Sequence, residues 1–158
     1  MKREAASIAI RLDEEIGVFR EFLQLLQQEQ AALIQGETEG LLQLSSHKAQ
    51  LIEQLGVFAV ERNRSLSAAG CDDNAAGVAK WLDAIGADAK TRDLWKDLLQ
   101  LAKEAEQVNR NNGALIETHM QHNQQALAVL RAAANPGSIY GPSGQISGPA
   151  GVTSRDKA

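Results

Sequence analysis

Three histidines and one cysteine are the residues best suited to metal binding or catalysis in this sequence. His119 and His122 are three residues apart, so they would share one face of a helix. A zinc site needs at least a third protein ligand and supporting hydrogen bonds, whereas His47 is distant in the sequence and Cys71 falls in a predicted loop. We therefore expect no metal site, and we interpret the histidines as solvated or partly packed side chains.

His47 follows two hydroxyl side chains, in the order Ser45-Ser46-His47. Neighbouring residues on a helix point in different directions, so this order does not place a hydroxyl against the imidazole. Histidine phosphotransfer bundles usually carry Lys and Gly on the turn after the histidine, where residues 49–51 of this chain read Ala-Gln-Leu. No phosphate-binding glycine-rich loop is evident either. We expect no enzymatic activity, and a phosphotransfer domain that uses His47 is the less favoured alternative.

The composition favours a helical protein and disfavours nucleic acid as its partner. Apolar residues make up 44% of the chain but aromatic residues only 4%, so Leu, Ile, Val and Ala must form the core, which suits packed helices better than a sheet. The net charge is −4 and no basic cluster is present, which disfavours nucleic acid as a partner. The lone Cys71, with no signal sequence or membrane span evident, leads us to expect a cytoplasmic protein without membrane insertion.

The spacing of apolar residues predicts three long helices. All three prolines lie after residue 135, and a proline inside a helix costs about 3 kcal/mol. Before that point, apolar residues alternate steps of four and three, as in a coiled-coil seam. The first seam is Leu12, Ile16, Phe19, Leu23, Leu26, Gln30 and Leu33. The second is Leu41, Leu44, Lys48, Leu51, Leu55, Phe58 and Arg62. The third is Leu94, Leu98, Leu101, Ala105, Val108, Asn112, Leu115, His119, His122, Ala126 and Val129.

Short connections between these segments predict an antiparallel arrangement without paired strands. The first helix should end at Gly36 and the second should fold back on it as a hairpin. In the second seam, Lys48 and Arg62 should bury their methylene stems and keep their charges in water. A short helix capped by Asp72 or Asp73 should follow.

The last main helix is expected over about 89 to 133, with Asp88 as its cap. Its first apolar residues, among them Leu98, should pack on the hairpin, whereas the polar middle of its seam should pack weakly or face a partner. Trp81 and Trp95 are interpreted as packing anchors. A glycine in this helix, Gly113, costs about 1 kcal/mol relative to Ala and marks a close backbone approach, a bend or a tolerated glycine.

The chain is thus predicted to be an all-α, antiparallel coiled-coil-like bundle of three main helices plus one short helix, formed by residues 1–134. Residues 135–158 hold five Gly, three Pro and four Ser, too little apolar surface to offset the entropy of ordering. We expect them to form a disordered tail. Tyr140 in that tail is either a docking motif or an unused hydrophobic residue.

Three segments of the sequence carry a family likeness. They are Asn109-Arg110-Asn111-Asn112-Gly113-Ala114-Leu115-Ile116, Asn123-Gln124-Gln125-Ala126-Leu127-Ala128-Val129-Leu130 and Ile139-Tyr140-Gly141-Pro142-Ser143-Gly144-Gln145. Together with Lys48 and the spacing from Trp81 to Trp95, these segments resemble the FlgN family of flagellar export chaperones over roughly residues 10 to 146.

The resemblance implies a protein-binding function without a cofactor. FlgN-type chaperones hold flagellar hook-associated proteins, which form the hook–filament junction, in the cytoplasm and deliver them to the flagellar type III export gate. The residues implied to bind these client proteins are Asn112, Gly113, Leu115, Ile116, Gln125, Leu127 and Leu130. Tyr140 is implied to contact the export gate. The sequence leaves open a structural coiled-coil module for oligomerisation or tethering, and also a weak homo-oligomer of a chaperone.

Overall fold

The computed structural model describes residues 2–134, 139–140 and 146–147, and helices dominate this part of the chain. The helices are α1 (Lys2–Gln35), α2 (Leu41–Ala68), α3 (Ala75–Ala84) and α4 (Ala89–Ala134), and the strands are β1 (Ile139–Tyr140) and β2 (Ile146–Ser147). The predicted all-α class, with three main helices and one short helix, is confirmed. No helix in this described part has the length and the hydropathy needed to cross a bilayer.

Glycines end the first three helices, and the end predicted at Gly36 is confirmed. Gly36, Gly70 and Gly86 follow α1, α2 and α3 with φ angles of 73°, 69° and 67°, a left-handed conformation that glycine adopts without a steric penalty. After Gly36 the Glu37 N–H donates to the Ala32 carbonyl at 2.9 Å, which satisfies one of the free carbonyls at the helix end.

The cap of α3 differs from the prediction. The Oδ1 atom of Asn74, and not a carboxylate of Asp72 or Asp73, accepts a hydrogen bond from the Gly77 N–H at 2.8 Å. The backbone of Asp72 passes so close to the helix that a Cβ on Gly77 would lie 1.9 Å from the Asp72 carbonyl oxygen. Because α3 begins at Ala75, only the residue just before it is in position to cap the first turn.

Asp88 caps α4 as predicted. It accepts hydrogen bonds from the Thr91 hydroxyl at 2.7 Å and from the Thr91 N–H at 2.9 Å. These two bonds, the hydroxyl bond first, lower the pKa of Asp88 because they stabilise its carboxylate.

Contacts divide the chain into two units, residues 1–113 and 114–158, with the boundary at Gly113 inside α4. In the first unit, α1 contacts both α2 and α4, so it buries a wider face than one heptad seam. The first seam is confirmed at Leu12, Ile16, Leu26 and Leu33, and Phe22 and Leu25 are buried beside it.

Two further predictions about packing in the first unit are confirmed. Leu98 is 3% exposed and packs on Leu12 and Ile16, with Leu94 and Leu101 partly buried around this cluster. Trp81 is buried with Leu66 of α2 in the cluster that α3 forms, and Trp95 packs against it. The tryptophans therefore anchor the short helix to the bundle, as the sequence suggests.

The prediction that no strands pair is wrong at one place. β1 and β2 form an antiparallel pair in which Ile139 lies opposite Ser147 and Tyr140 lies opposite Ile146. The β-branched residues Ile139 and Ile146 and the aromatic Tyr140 suit a strand. The rest of the predicted disordered tail lies outside the described residues.

Candidate functional site

The C-terminal part of α4 presents an apolar stripe that is exposed along its length. Ile116, Met120, Leu127 and Leu130 are between 42% and 64% exposed, and Asn123, also exposed, lies in their midst. These five residues follow one another in alternating steps of four and three, so they share one face of the helix. We call them the outer stripe.

The outer stripe is displaced by one residue from the third predicted seam. In residues 89–113 that seam is buried at Leu98, Ala105 and Asn112. Farther along α4, Leu115 and His119 are half-buried, and from residue 120 onward nearly every side chain is exposed. The prediction that the later part of the long helix remains exposed is therefore confirmed for this described segment.

Charged residues are scarce around the outer stripe. Between Arg110 and Arg131, Glu117 is the single Asp, Glu, Lys or Arg residue in the sequence. The polar residues in this stretch are His, Asn, Gln and Thr. A partner that lies along this part of α4 would therefore meet apolar and uncharged polar groups.

The structure brings some of the predicted client-binding residues together and separates others. Ile116, Leu127 and Leu130 lie on the outer stripe. Gln125 is exposed, but it is nine residues from Ile116, which is two and a half helical turns, so it lies on the opposite face of α4. A single helix along the outer stripe would not reach Gln125.

Asn112 does not fit the prediction that it contacts a client. Its side chain is 0% exposed, and its Nδ2 donates to the Leu26 carbonyl at 2.9 Å and to Glu29 Oε1 at 2.8 Å. Within the described structure its Oδ1 has no hydrogen-bond partner. Asn112 therefore joins α4 to α1 inside the bundle, because the α1 backbone and a buried carboxylate supply the acceptors that its amide needs.

Gly113 has open space around it. A Cβ at this position would meet no atom within 4 Å, and its φ angle is not in the left-handed region. Among the described residues nothing approaches the helix closely there, so a close approach inside the chain does not explain this glycine.

Two buried glutamates of α1 pair with the two basic residues of the second seam. Glu15 Oε2 lies 2.5 Å from the Arg62 guanidinium, and Glu29 Oε1 lies 3.2 Å from Lys48 Nζ. The side chains of Arg62 and Lys48 are only 19% and 20% exposed. The prediction that these charges remain in water is therefore wrong, since each is held by a carboxylate inside the bundle.

Each pair also includes a residue of α4. The Arg62 guanidinium lies 5.2 Å from the centre of the Trp95 ring, in position for a cation–π contact. We call Glu15, Arg62 and Trp95 the Arg62 layer, and Glu29, Lys48 and Asn112 the Lys48 layer. In the sequence the glutamates in α1 and the basic residues in α2 are each two heptads apart, a spacing that is compatible with both layers but does not by itself pair their members.

The Arg62 layer changes the acid–base behaviour of Glu15. Burial raises the pKa of Glu15, because a carboxylate loses hydration inside the bundle, and the charge and hydrogen bond of Arg62 oppose this rise only in part.

The histidines and Cys71 form no metal site within the described residues, where no three His, Cys, Asp or Glu side chains lie close enough to share an ion. His47 is exposed, and its Nε2 lies 3.1 Å from Glu21 Oε1 in a surface pair. Cys71 is half-buried at the end of α2. Tyr140 lies in β1, and its side chain is outside the described part.

Comparisons with known proteins agree on one family. The family model described as FlgN protein matches residues 1–148. The flagella synthesis protein FlgN of Yersinia enterocolitica is 26% identical over 144 residues, with 87% of each chain covered. The protein of the same name from Escherichia coli is 26% identical over 138 residues, which covers 86% of this chain and 87% of the relative. The crystal structure of a flagella synthesis protein FlgN from Pseudomonas aeruginosa is similar with a TM-score of 0.61 and 27% identity, over 70% of this chain and 86% of that one.

Proposed function

The chain belongs to the FlgN family, and we propose that it is a cytoplasmic export chaperone that holds flagellar hook-associated proteins before they leave the cell. The observation that carries this proposal is the outer stripe. Four large apolar side chains on one helix face are at least 42% exposed. Contiguous exposed apolar surface commonly marks a site of protein interaction.

The outer stripe has the size and spacing to hold one client helix. From Ile116 to Leu130 it is about 21 Å long, at about 1.5 Å per residue. An amphipathic helix of the client would insert its own apolar residues between those of the stripe, as coiled-coil helices do. Covering the client helix in this way would prevent it from self-associating before export.

Residues 1–113 supply a rigid support for the N-terminal part of α4. The Arg62 layer and the Lys48 layer each connect α1, α2 and α4 through buried polar contacts. Polar contacts of this kind have geometric requirements that apolar contacts lack, so they favour one register of the helices.

We also propose that the chain delivers its clients to the flagellar type III export gate and that Tyr140 contacts the gate. The support for this assignment is the resemblance of Ile139–Gln145 to the FlgN family. A tyrosine offers a large apolar ring and a hydroxyl, a combination that is frequent at interaction hot spots.

The proposal is tested by calorimetric titration of purified hook-associated proteins into the full chain and its variants. Leu127→Ala should weaken client binding at least about tenfold, since truncation of a hot-spot residue costs about 2 kcal/mol or more and about 1.4 kcal/mol is a factor of ten. Val129→Ala is the matched control, because Val129 is 68% exposed but lies on another face of α4. Equal affinities for the wild type and both variants would exclude the outer stripe as the client site.

The same titration series separates the proposal from a purely structural module. Analytical ultracentrifugation of the chain alone would reveal a stable homo-oligomer, which a coiled-coil tether requires. If Leu127→Ala dissociates such an oligomer into monomers and no hook-associated protein binds the chain, the structural alternative replaces the chaperone proposal.

A further inference from the structure

The middle of the outer stripe is polar. Asn123 is the third of its five residues, with Ile116 and Met120 before it and Leu127 and Leu130 after it. The side chain is exposed, and it makes no hydrogen bond to any residue in the described part of the chain. Its amide is therefore available to a partner.

Charge provides little information about where a partner helix should align on this surface. From residue 111 to residue 131 the charged residues are Glu117, near the start of the outer stripe, and Arg131, just after its end. Coiled coils commonly set partner choice and alignment with charged residues beside the seam. Here such pairs are nearly absent, and Ile, Met and Leu contacts alone tolerate displacement by a heptad.

We infer that Asn123 sets the register of the captured helix by pairing with an uncharged amide, Asn or Gln, in the middle of the apolar face of the client. Recognition then depends on apolar contact and amide hydrogen bonds and not on ion pairs. The inference rests on the proposed function, because it specifies the chemistry of the client at the same surface.

The physical reason is the loss of water from Asn123 when a helix covers the stripe. An apolar residue opposite Asn123 would leave its donors and acceptor without partners, which is costly in a buried interface. A charged residue opposite it would lose hydration without gaining a counter-charge. An amide is the partner that can both donate to Asn123 and accept from it.

The test uses two synthetic amphipathic peptides whose five contact positions alternate steps of four and three, as in the outer stripe, and which differ at one position. One carries leucine at all five contact positions, and the other carries asparagine at the third. Because this position is central, it lies opposite Asn123 whether the peptide binds parallel or antiparallel. Calorimetry on the full chain should show that the wild type prefers the asparagine peptide by about tenfold.

Asn123→Leu should reverse this ranking, since the variant offers an apolar residue at the same place. Gln121→Leu removes an exposed amide two residues before Asn123, on a different face of α4, and should keep the wild-type ranking. The inference is overturned if the wild type and Asn123→Leu rank the peptides alike. It is equally overturned if Gln121→Leu also reverses the ranking or if the wild type binds neither peptide.

A salt titration tests the absence of ion pairs. It is made at pH 8, above the range in which histidine ordinarily titrates. Between 50 and 500 mM NaCl the dissociation constant of the asparagine peptide should change less than about threefold, because screening weakens only interactions between charges. A larger weakening would show that ion pairs contribute and would overturn this part of the inference.

The client site and the role of Asn123 are distinguished by different outcomes. If Leu127→Ala loses the hook-associated proteins while the peptide ranking is the same in the wild type and Asn123→Leu, the role of Asn123 is wrong and the client site stands. If Leu127→Ala keeps full affinity for the hook-associated proteins, the client site itself is wrong.

Discussion

The side-chain amide of Asn112 lies 2.8 Å from Glu29 Oε1, although 83 residues separate the two in the chain. Lys48 Nζ lies 3.2 Å from the same carboxylate oxygen. One buried acidic group therefore joins three helices at the C-terminal end of the first unit, next to Gly113. Removing one of these contacts should therefore lower the free energy of unfolding of the bundle.

Asn112→Ala should destabilise the fold by about 2–3 kcal/mol, because it removes two buried hydrogen bonds and leaves the Leu26 carbonyl and Glu29 with fewer donors. Asn112→Asp should destabilise the fold more than Asn112→Ala does, since a side chain of the same size as asparagine then places a second carboxylate against Glu29. Urea denaturation measures both. The neighbouring Asn111 is exposed, so Asn111→Ala should stay within about 0.5 kcal/mol. A similar loss for Asn111→Ala and Asn112→Ala would contradict this division.

Glu15 should give the fold a defined pH dependence. Its pKa is raised by burial, so the folded state binds a proton at Glu15 more tightly than the unfolded state does. The stability that this proton contributes is fully present below the ordinary pKa of 4.5 and is lost as pH rises through the folded pKa.

The measurement for Glu15 is the unfolding free energy of the wild type and of Glu15→Gln across a series of pH values. The wild type minus variant difference should fall as pH rises from 4.5 and then level off. Glu14 is exposed on the same helix, so Glu14→Gln serves as a control that should retain the wild-type pH profile. A difference that grows with pH would mean that the Arg62 charge outweighs the burial of Glu15.

Two leucines of α4 should separate folding from binding. Leu98 is 3% exposed in the first unit, so Leu98→Ala should cost about 2–5 kcal/mol of stability. Leu127 is 50% exposed, so Leu127→Ala should change stability by no more than about 0.5 kcal/mol. Thermal unfolding gives both values. Equal losses of melting temperature would contradict the assignment of Leu98 to the core and Leu127 to the outer stripe.

Gly113→Ala should stabilise the chain by roughly 0.5–1 kcal/mol, because alanine favours the helix and its Cβ meets no atom within 4 Å. Gly77→Ala is the opposite case, since its Cβ would lie 1.9 Å from the Asp72 carbonyl oxygen, and it should destabilise the fold. Urea denaturation compares them. A destabilising Gly113→Ala would show that the helix needs glycine there for a bend.

Tyr140→Ala should leave the helical content and client affinity unchanged and should weaken the binding of the client-loaded chaperone to the export gate. The reason is that the proposal assigns the client to the outer stripe and the gate contact to Tyr140, which are separate surfaces. Circular dichroism, calorimetry with client, and a binding assay with the purified cytoplasmic part of the gate measure the three properties. Unchanged gate binding by the loaded variant would remove Tyr140 from the proposal.

Local features of the fold were predictable because the residues that decide them are close together in sequence. The absence of proline before residue 135 and the heptad spacing predict the three long helices. Gly36, Gly70 and Gly86 end helices through the backbone freedom of glycine itself. Asp88 caps α4 with Thr91, three residues away. The predicted cap of α3, Asp72 or Asp73, is wrong by one or two residues, because Asn74 is the cap. The exact start of this helix depends on how the loop from Asp72 folds against it.

The family likeness likewise came from local sequence, but the geometry of the candidate site did not. Heptad spacing alone does not distinguish the buried seam of α4 from the outer stripe one residue away, because both alternate steps of four and three. The structure distinguishes the two by burial, since Leu98 and Ala105 are buried against other helices while Leu127 and Leu130 are exposed to solvent.

The sequence by itself determined that this chain is helical, where its helices end, and which family it resembles, because each of these depends on short-range spacing. Only the tertiary structure decided that Glu15 and Glu29 are buried, that Arg62 and Lys48 are held by them, and that Asn112 is internal. Those outcomes depend on partners 47, 19 and 83 residues away. A charged residue is stable inside a bundle only when the folded chain places a counter-charge or hydrogen-bond partner beside it, and no local pattern contains that partner.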